Sequence, residues 1–277
     1  MQLTAPAKIN LTLEVRGKRE DGFHEIETLM VPVSLADTLE IERGGAGIEF
    51  TCSDTSLPVD DSNLVVRAAK LFFDRQKIQA QVKIHLQKAI PHGAGLGGGS
   101  SDAASTLIAL NQIFETNLET ETLSAMSAEI GSDIPFFVFQ SAAICRGRGE
   151  IVSPVEFKPS LPLLLMKPNF GVPTPWAYKQ WRDSKELPDI PYAAQEFPWG
   201  KLLNDLERPV FEKYLFLAVL KRWLLAQPEV AGALMSGSGS TTLAVLHDPA
   251  MADPLSHRVL EKFGELWIHG CHTIQTA

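Results

Sequence analysis

The stretch Pro91-His92-Gly93-Ala94-Gly95-Leu96-Gly97-Gly98-Gly99-Ser100-Ser101 constrains this chain more than any other, because its five glycines lie between an alternating segment and a helical one. Upstream, Gln81 to Leu86 puts Val82, Ile84 and Leu86 on one side of a strand. Downstream, Ser100 to Phe114 spaces Ala104, Leu107, Ile108 and Phe114 along one helical face. A glycine loop between strand and helix leaves backbone N–H groups free at a helix N-terminus, where the macrodipole favours an anion. Ser100 and Ser101 add hydroxyls there. The expectation is a phosphate cradle rather than an idle turn.

Which phosphate ligand is a matter of context. Gly93, Gly95 and Gly98 satisfy G-x-G-x-x-G, but a dinucleotide fingerprint also wants a second strand ending in an acidic residue about 20 positions on. Asn111 to Ile130 reads instead as helix, loop and helix. No lysine precedes Ser100, so the Walker pattern fails, and the H-R-D and D-F-G set of protein kinases is missing.

Elsewhere, Ile9, Leu11, Leu13 and Val15 alternate with Lys8, Asn10, Thr12 and Glu14, the pattern of a half-buried strand with Lys8 and Asn10 on one face. Asp21-Gly22 is a turn signal, and Phe23 to Val33 reads as the returning strand, which brings His24 back beside the first. Asn63 is placed to cap a helix running to Phe73. Glu121 to Ile130 reads as a helix stopped by Gly131, followed by Asp133 and an apolar strand from Ile134. Taken alone, Asp133 is equally a catalytic carboxylate and a turn residue, and Lys8 reads first as a snorkelling lysine. Prolines from Pro154 to Pro175 around the strand LPLLLM imply a change of domain near residue 155. Beyond lie a loose segment, Asp183 to Gly200, helices at 204–226, the loop Ser236 to Ser240 and a strand, Thr241 to Leu246. Asn204 and Glu207 have the spacing of a capping box.

Bulk properties narrow the function further. A length of 277 residues exceeds the usual single core, and a net charge of −8 argues against general nucleic-acid binding. No apolar run approaches the roughly 20 residues of a membrane span, and the start lacks the basic-then-apolar pattern of a secretory signal, so the cytoplasm is expected. Cys52, Cys145 and Cys271 are scattered, without a C-x-x-C pair, and read as reduced small hydrophobes. His269, Cys271 and His272 lack a second ligand pair at zinc-site spacing and read as a terminal strand, so no metal-ligating set is assigned.

PAKINL at 6–11, the glycine loop, G-x-D-x-P-F-F at 131–137 and MSGSGST at 235–241 occur in the order and spacing of the GHMP kinase superfamily, which the chain resembles over its whole length. With DGFHE at 21–25, GLGGGSSDAA, RGRGE at 146–150 and NDLE at 204–207, it resembles the branch that phosphorylates 4-diphosphocytidyl-2-C-methyl-D-erythritol. That branch serves the methylerythritol phosphate route to isoprenoid precursors. The DGFHE run separates it from relatives acting on mevalonate, homoserine or sugars, and the retained Lys8 and Asp133 separate it from a non-catalytic nucleotide sensor.

The resemblance implies a two-domain α/β (α+β) fold. Residues 1–155 would form a domain like the second domain of ribosomal protein S5, and residues 156–277 a ferredoxin-like domain. It implies ATP with Mg2+, bound by the glycine loop with Asn63 and Lys88, and Ser100 or Ser101 as the nearest protein contact of the metal. Asp133 would be the general base and Lys8 the cation that orients it. Asn10, Phe23, His24, Thr174 and Tyr178 would hold the substrate, with Phe23 and Tyr178 stacking on cytosine and His24 hydrogen-bonding to it. Gly237, Ser238 and Gly239 would form a wall. The expected partner is a small molecule, with no nucleic acid or membrane, in a monomer or homodimer. The chain departs from the family pattern in Phe23 for tyrosine, His92 for an apolar residue and Ser132 for alanine.

Overall fold

Two long strands, β1 (Gln2–Lys18) and β2 (His24–Arg43), form an antiparallel hairpin around which the rest is built. The computed structural model describes residues 1–276. The turn falls at Asp21-Gly22 as read from the sequence, but β2 runs to Arg43 instead of stopping near Val33. Its extra length is held by later segments: residues 26–30 pair with β5 (Ala143–Gly147), and residues 38–43 pair with β4 (Gln81–Gln87). β1 is not half-buried. Ala7 through Leu11 are all buried, because Phe137 and the glycine loop cover the face bearing Lys8 while a second sheet covers the face of Ile9 and Leu11.

The first sheet has the order β3-β4-β2-β1-β9-β8, where β3 is Gly47–Cys52, β8 is Gln195–Phe197 and β9 is Gly200–Asn204. On a branch, β5 pairs with β2 and with β6 (Ile151–Pro154). Against it lie α1 (Leu64–Gln76), α2 (Gly98–Ile113), α3 (Thr120–Ser127) and α4 (Ile134–Val138), which share an apolar cluster with β2 and β4. Asn63 caps α1 as expected, accepting a 2.9 Å hydrogen bond from the Val65 N–H.

The second sheet is antiparallel, ordered β10-β11-β7-β12, with β7 at Pro162–Lys167, β10 at Val230–Met235, β11 at Thr242–Leu246 and β12 at Trp267–His272. Between β7 and β10 come α5 (Thr174–Gln180), α6 (Glu207–Lys213) and α7 (Leu215–Leu225), and between β11 and β12 comes α8 (Ala252–Phe263). This is the ferredoxin-like arrangement. One face packs on α7 and α8; the other, through Leu163, Leu165, Leu243 and Val245, meets Ile9 and Leu11 of β1. The chain leaves the first sheet at Pro154 and enters the second at Pro162, and on that we base the proposal of a division near residue 155. β8 and β9, from the later half, return to the first sheet, and β9 runs parallel to β1.

Several local readings change. Ile134 to Val138, read as a strand, is the short helix α4, buried in the apolar cluster it shares with α2 and α3; a five-residue apolar run fits either state, and its pattern does not separate them. α3 ends at Ser127, before Gly131. The helical segment expected from residue 204 begins at Glu207, after strand β9.

Candidate active site

The glycine loop enters from β4 and ends in α2, which starts at Gly98. Gly93, Gly95 and Gly97 have φ of 63°, 76° and 71°, values that only glycine adopts readily. Close packing adds a second demand: a Cβ on Gly95 would lie 2.5 Å from the carbonyl oxygen of Ser236. The loop is tied down from both sheets. Lys8 N–H donates to Leu96 O (2.9 Å), Thr241 N–H to Ala94 O (3.2 Å) and Ser236 Oγ to Gly95 O (3.2 Å). Beside it is a cavity of about 300 Å³ walled by Pro91 through Ser100, Asn63, Leu64, Lys88 and Asp102.

A smaller cavity of about 150 Å³ adjoins it, sharing Gly95 and Gly97 and containing Lys8, Asn10, Asp133, Gly237 and Ser238. Lys8 Nζ is buried and donates to Asn10 Oδ1 (2.7 Å); Asn10 Nδ2 donates to Thr28 Oγ1 (2.7 Å), which donates to Thr12 O (2.6 Å). This relay fixes the ammonium 3.8 Å from Asp133 Oδ2, within ion-pair range and beyond a hydrogen bond. Burial pulls the Lys8 pKa down, and the attraction of Asp133 opposes it. Asp133 opens α4 and its carboxylate is 37 % exposed.

Ser132, Arg148, Thr174 and Tyr178 connect this centre to a larger cavity, about 950 Å³. Here His24 stacks on Tyr178 (5.5 Å between centroids, 27° between planes) and meets Trp181 edge-on. Phe23 is 52 % exposed, with the Arg148 guanidinium 4.9 Å above its ring. Burial raises the Tyr178 phenol pKa, so it stays a neutral donor, while burial and then Lys18 lower that of His24. Thr174 Oγ1 and Ser238 Oγ are hydrogen-bonded at 2.7 Å, joining α5 to the loop after β10. The cavities form one cleft with a backbone cradle at one end, an aromatic and cationic pocket at the other, and a carboxylate–ammonium pair between.

Comparison with known proteins shows the family. Residues 63–141 match the family described as GHMP kinases N terminal domain. The 4-diphosphocytidyl-2-C-methyl-D-erythritol kinase of Methylacidiphilum infernorum (isolate V4) is 44 % identical over 275 residues, spanning 95 % of this chain and 93 % of that one. The chain belongs to the 4-diphosphocytidyl-2-C-methyl-D-erythritol kinase family, within the GHMP kinases. A crystal structure of 4-(cytidine 5'-diphospho)-2C-methyl-D-erythritol kinase superposes with a TM-score of 0.82 at 36 % identity, covering 99 % of this chain and 100 % of that chain. The L. major mevalonate kinase in complex with R-mevalonate shares the fold, with a TM-score of 0.68 at 14 % identity, covering 100 % of this chain and 97 % of that one.

The residues singled out from sequence as site residues line these cavities, except Ser101 and Gly239, and two further local readings change. Ser101 lies a turn inside α2, fully buried and outside the cavity wall, because the helix starts two residues earlier than its periodicity suggested. Gly239 faces Gly95 and Met235 rather than the cavity. Lys88 lines the cavity beside the glycine loop and is itself buried between Asp37 and Asp102. Asn204 and Glu207 form no capping box, since Leu206 holds the cap position of α6. Asn204 Nδ2 instead donates to Met235 O (2.7 Å) and Gly237 O (2.8 Å), and Glu207 Oε1 accepts from Met235 N–H (2.9 Å). Glu207 Oε2 pairs with buried Lys221 at 2.6 Å. Sequence reasoning assigned no role to Arg148, although RGRGE was in view; only folding brings it beside Phe23 and Asp133.

Proposed function

We infer that this chain is an ATP-dependent kinase that phosphorylates the 2-hydroxyl of 4-diphosphocytidyl-2-C-methyl-D-erythritol, a step of the methylerythritol phosphate route to isoprenoid precursors. The observation that carries it is the continuous cleft, in which a phosphate cradle and a pocket fit for a base meet at Lys8 and Asp133. In the proposed step Asp133 accepts the proton of the attacking hydroxyl, whose oxygen bonds to the γ-phosphorus while the bond to ADP breaks. Lys8, held by Asn10, orients the carboxylate; Asn10 thus acts through Lys8 as well as lining the centre. The protein's part is mainly positioning and charge stabilisation.

The aromatic pocket suits a cytosine: Tyr178 and Phe23 offer ring faces and His24 a polar edge. Lys18, Arg148, Lys179 and Arg182 line the same pocket and suit a diphosphate, in a chain of net charge −8. Thr174, Gly237 and Ser238 close the substrate side. Asn63 and Lys88 bound the nucleotide end, Lys88 as part of the cavity wall.

Among the described residues no cluster of three metal-ligating side chains occurs. Mg2+ is held mainly by phosphates and water, and we propose that it arrives with the nucleotide. Ser100, on the cavity wall, is the side chain placed to touch it, and the ion would offset phosphate charge. No described helix is long and apolar enough to cross a membrane, and we propose a cytoplasmic monomer or homodimer. A coupled ADP-release assay tests the function: turnover is expected with the cytidyl substrate and not with mevalonate, homoserine or galactose. Preference for any of the latter would overturn it.

A further inference from the structure

Three buried polar side chains meet behind the loop that follows β10, and none of them lines the cavities of the cleft. Asn204 ends β9, opposite Leu13 of β1, the strand that also carries Lys8 and Asn10. Its Nδ2 donates to two carbonyls where the chain leaves β10, Met235 O (2.7 Å) and Gly237 O (2.8 Å), and its Oδ1 accepts from the Leu206 N–H (2.9 Å). Glu207, opening α6, accepts from the Met235 N–H at Oε1 (2.9 Å) and from Lys221 Nζ of α7 at Oε2 (2.6 Å). Lys221 Nζ also donates to Pro191 O (2.7 Å). On its other side the same loop faces the reaction centre. A Cβ on Gly237 would lie 3.2 Å from Asn10 Oδ1 and 3.5 Å from Lys8 Nζ, so this backbone packs directly on that pair. Ser236 Oγ donates to Gly95 O (3.2 Å) in the nucleotide loop, and Ser238 Oγ is bonded to Thr174 Oγ1 (2.7 Å) on α5.

A buried pair such as Glu207 and Lys221 contributes little net stability beyond what apolar side chains of the same volume would supply, because desolvation offsets the attraction. What apolar side chains do not supply is direction. Two amide donors on carbonyls two residues apart fix where the chain turns out of β10, and Glu207 fixes the Met235 N–H beside them. We propose that Asn204, backed by Glu207 and Lys221, is a positioning residue for phosphoryl transfer. It straps the loop of the second sheet to strands β9 and β1 of the first and thereby sets Gly237 against Lys8 and Asn10. Asn204 lies outside the cleft and acts through Gly237. The inference rests on the roles proposed above for Lys8 and Asp133: a displaced Gly237 shifts the amine that orients the carboxylate, and catalysis by positioning is sensitive to such shifts.

Asn204→Ser separates the local bond from the distant ones. A serine hydroxyl still accepts from the Leu206 N–H, as it does in turns of this kind, but is too short to reach Met235 O and Gly237 O. In this variant kcat should fall about 10- to 100-fold, the scale of a small misplacement of reacting groups. Urea unfolding should show a folded chain, and calorimetry should give ATP binding at wild-type stoichiometry and affinity. ATP affinity is spared because the N–H groups of Lys8 and Thr241 still hold the nucleotide loop at Leu96 O and Ala94 O. A kcat within about twofold of wild type in the folded variant, or a fall matched by lost ATP stoichiometry, overturns the positioning role. Amide hydrogen exchange on the wild type needs no variant. Without ligand the amides of Met235, Ser236, Gly239 and Thr241, which donate to Glu207 Oε1, Thr241 O, Ser236 O and Ala94 O, should exchange as slowly as those of β11. Fast exchange there means that the loop is not set in advance and overturns the proposal even if Asn204→Ser does not fold. Wild-type protein that releases no ADP with the cytidyl substrate overturns the function instead, so the two failures are told apart.

Discussion

Among the described residues no donor hydrogen-bonds the Asp133 carboxylate, and its distance of 3.8 Å from Lys8 leaves it able to accept a proton from a bound hydroxyl. Lys8 has the opposite character, buried and held by Asn10 with its pKa lowered first by desolvation. Removing the carboxylate therefore removes the proton acceptor beside Lys8. Asp133→Ala should lower kcat by at least about 100-fold, as loss of general-base catalysis does, while ATP still binds. A variant retaining a tenth of wild-type kcat would show that another group takes the proton. The three cysteines stay outside this chemistry: Cys145 and Cys271 are pushed up to about 12 by burial, which suits small apolar fillers.

At the scale of elements, the glycine loop does more than admit a phosphate. Gly97 has φ of 71°, and a Cβ there would lie 2.7 Å from the Phe137 ring and 3.1 Å from Lys8 Cγ. Loop exposure alone suggests that a substitution spares the fold; packing between two core elements says otherwise. Gly97→Val should cost about 2–5 kcal/mol of stability, combining left-handed strain with overpacking, visible as a lower urea midpoint before any assay of ATP. An unshifted midpoint would mean that the loop is loose. The loop after β10 is set from behind in a similar way, since Asn204, Glu207 and Lys221 hold Met235 and Gly237, and Gly237 lies beside Lys8 and Asn10.

For the whole molecule, the return of β8 and β9 to the first sheet matters more than the proline-rich change near residue 155. β9 pairs with Thr12 and Leu13, Asp205 Oδ2 accepts from the Val15 N–H (2.7 Å), and Val33 bridges to Thr273. Ile9 and Leu11 share a core with Leu163, Leu165 and Val245. A fragment of residues 1–155 should therefore not fold cooperatively by itself, and the intact chain should unfold in one thermal transition by calorimetry. A well-dispersed NMR spectrum from the fragment would contradict this.

Sequence by itself determined what depends on short-range order. The alternation around Lys8 and in Val82, Ile84 and Leu86, the cap at Asn63, the turn at Asp21-Gly22 and the glycine loop before a helix all follow from backbone geometry repeating over a few residues. The ordered motifs carried the resemblance to the kinase family, and with it Lys8 and Asp133. Tertiary structure alone decided the rest, because burial and partner choice are properties of segments far apart in the chain. It buried both faces of β1, turned Ile134 to Val138 into a helix and converted an apparent capping box at Asn204 into a support for a distant loop. It also set Lys88 between two carboxylates, one arriving from 51 residues upstream and one from 14 downstream. No local periodicity encodes that meeting, since it exists only once β2, β4 and α2 have packed and excluded water from the charges they bring together.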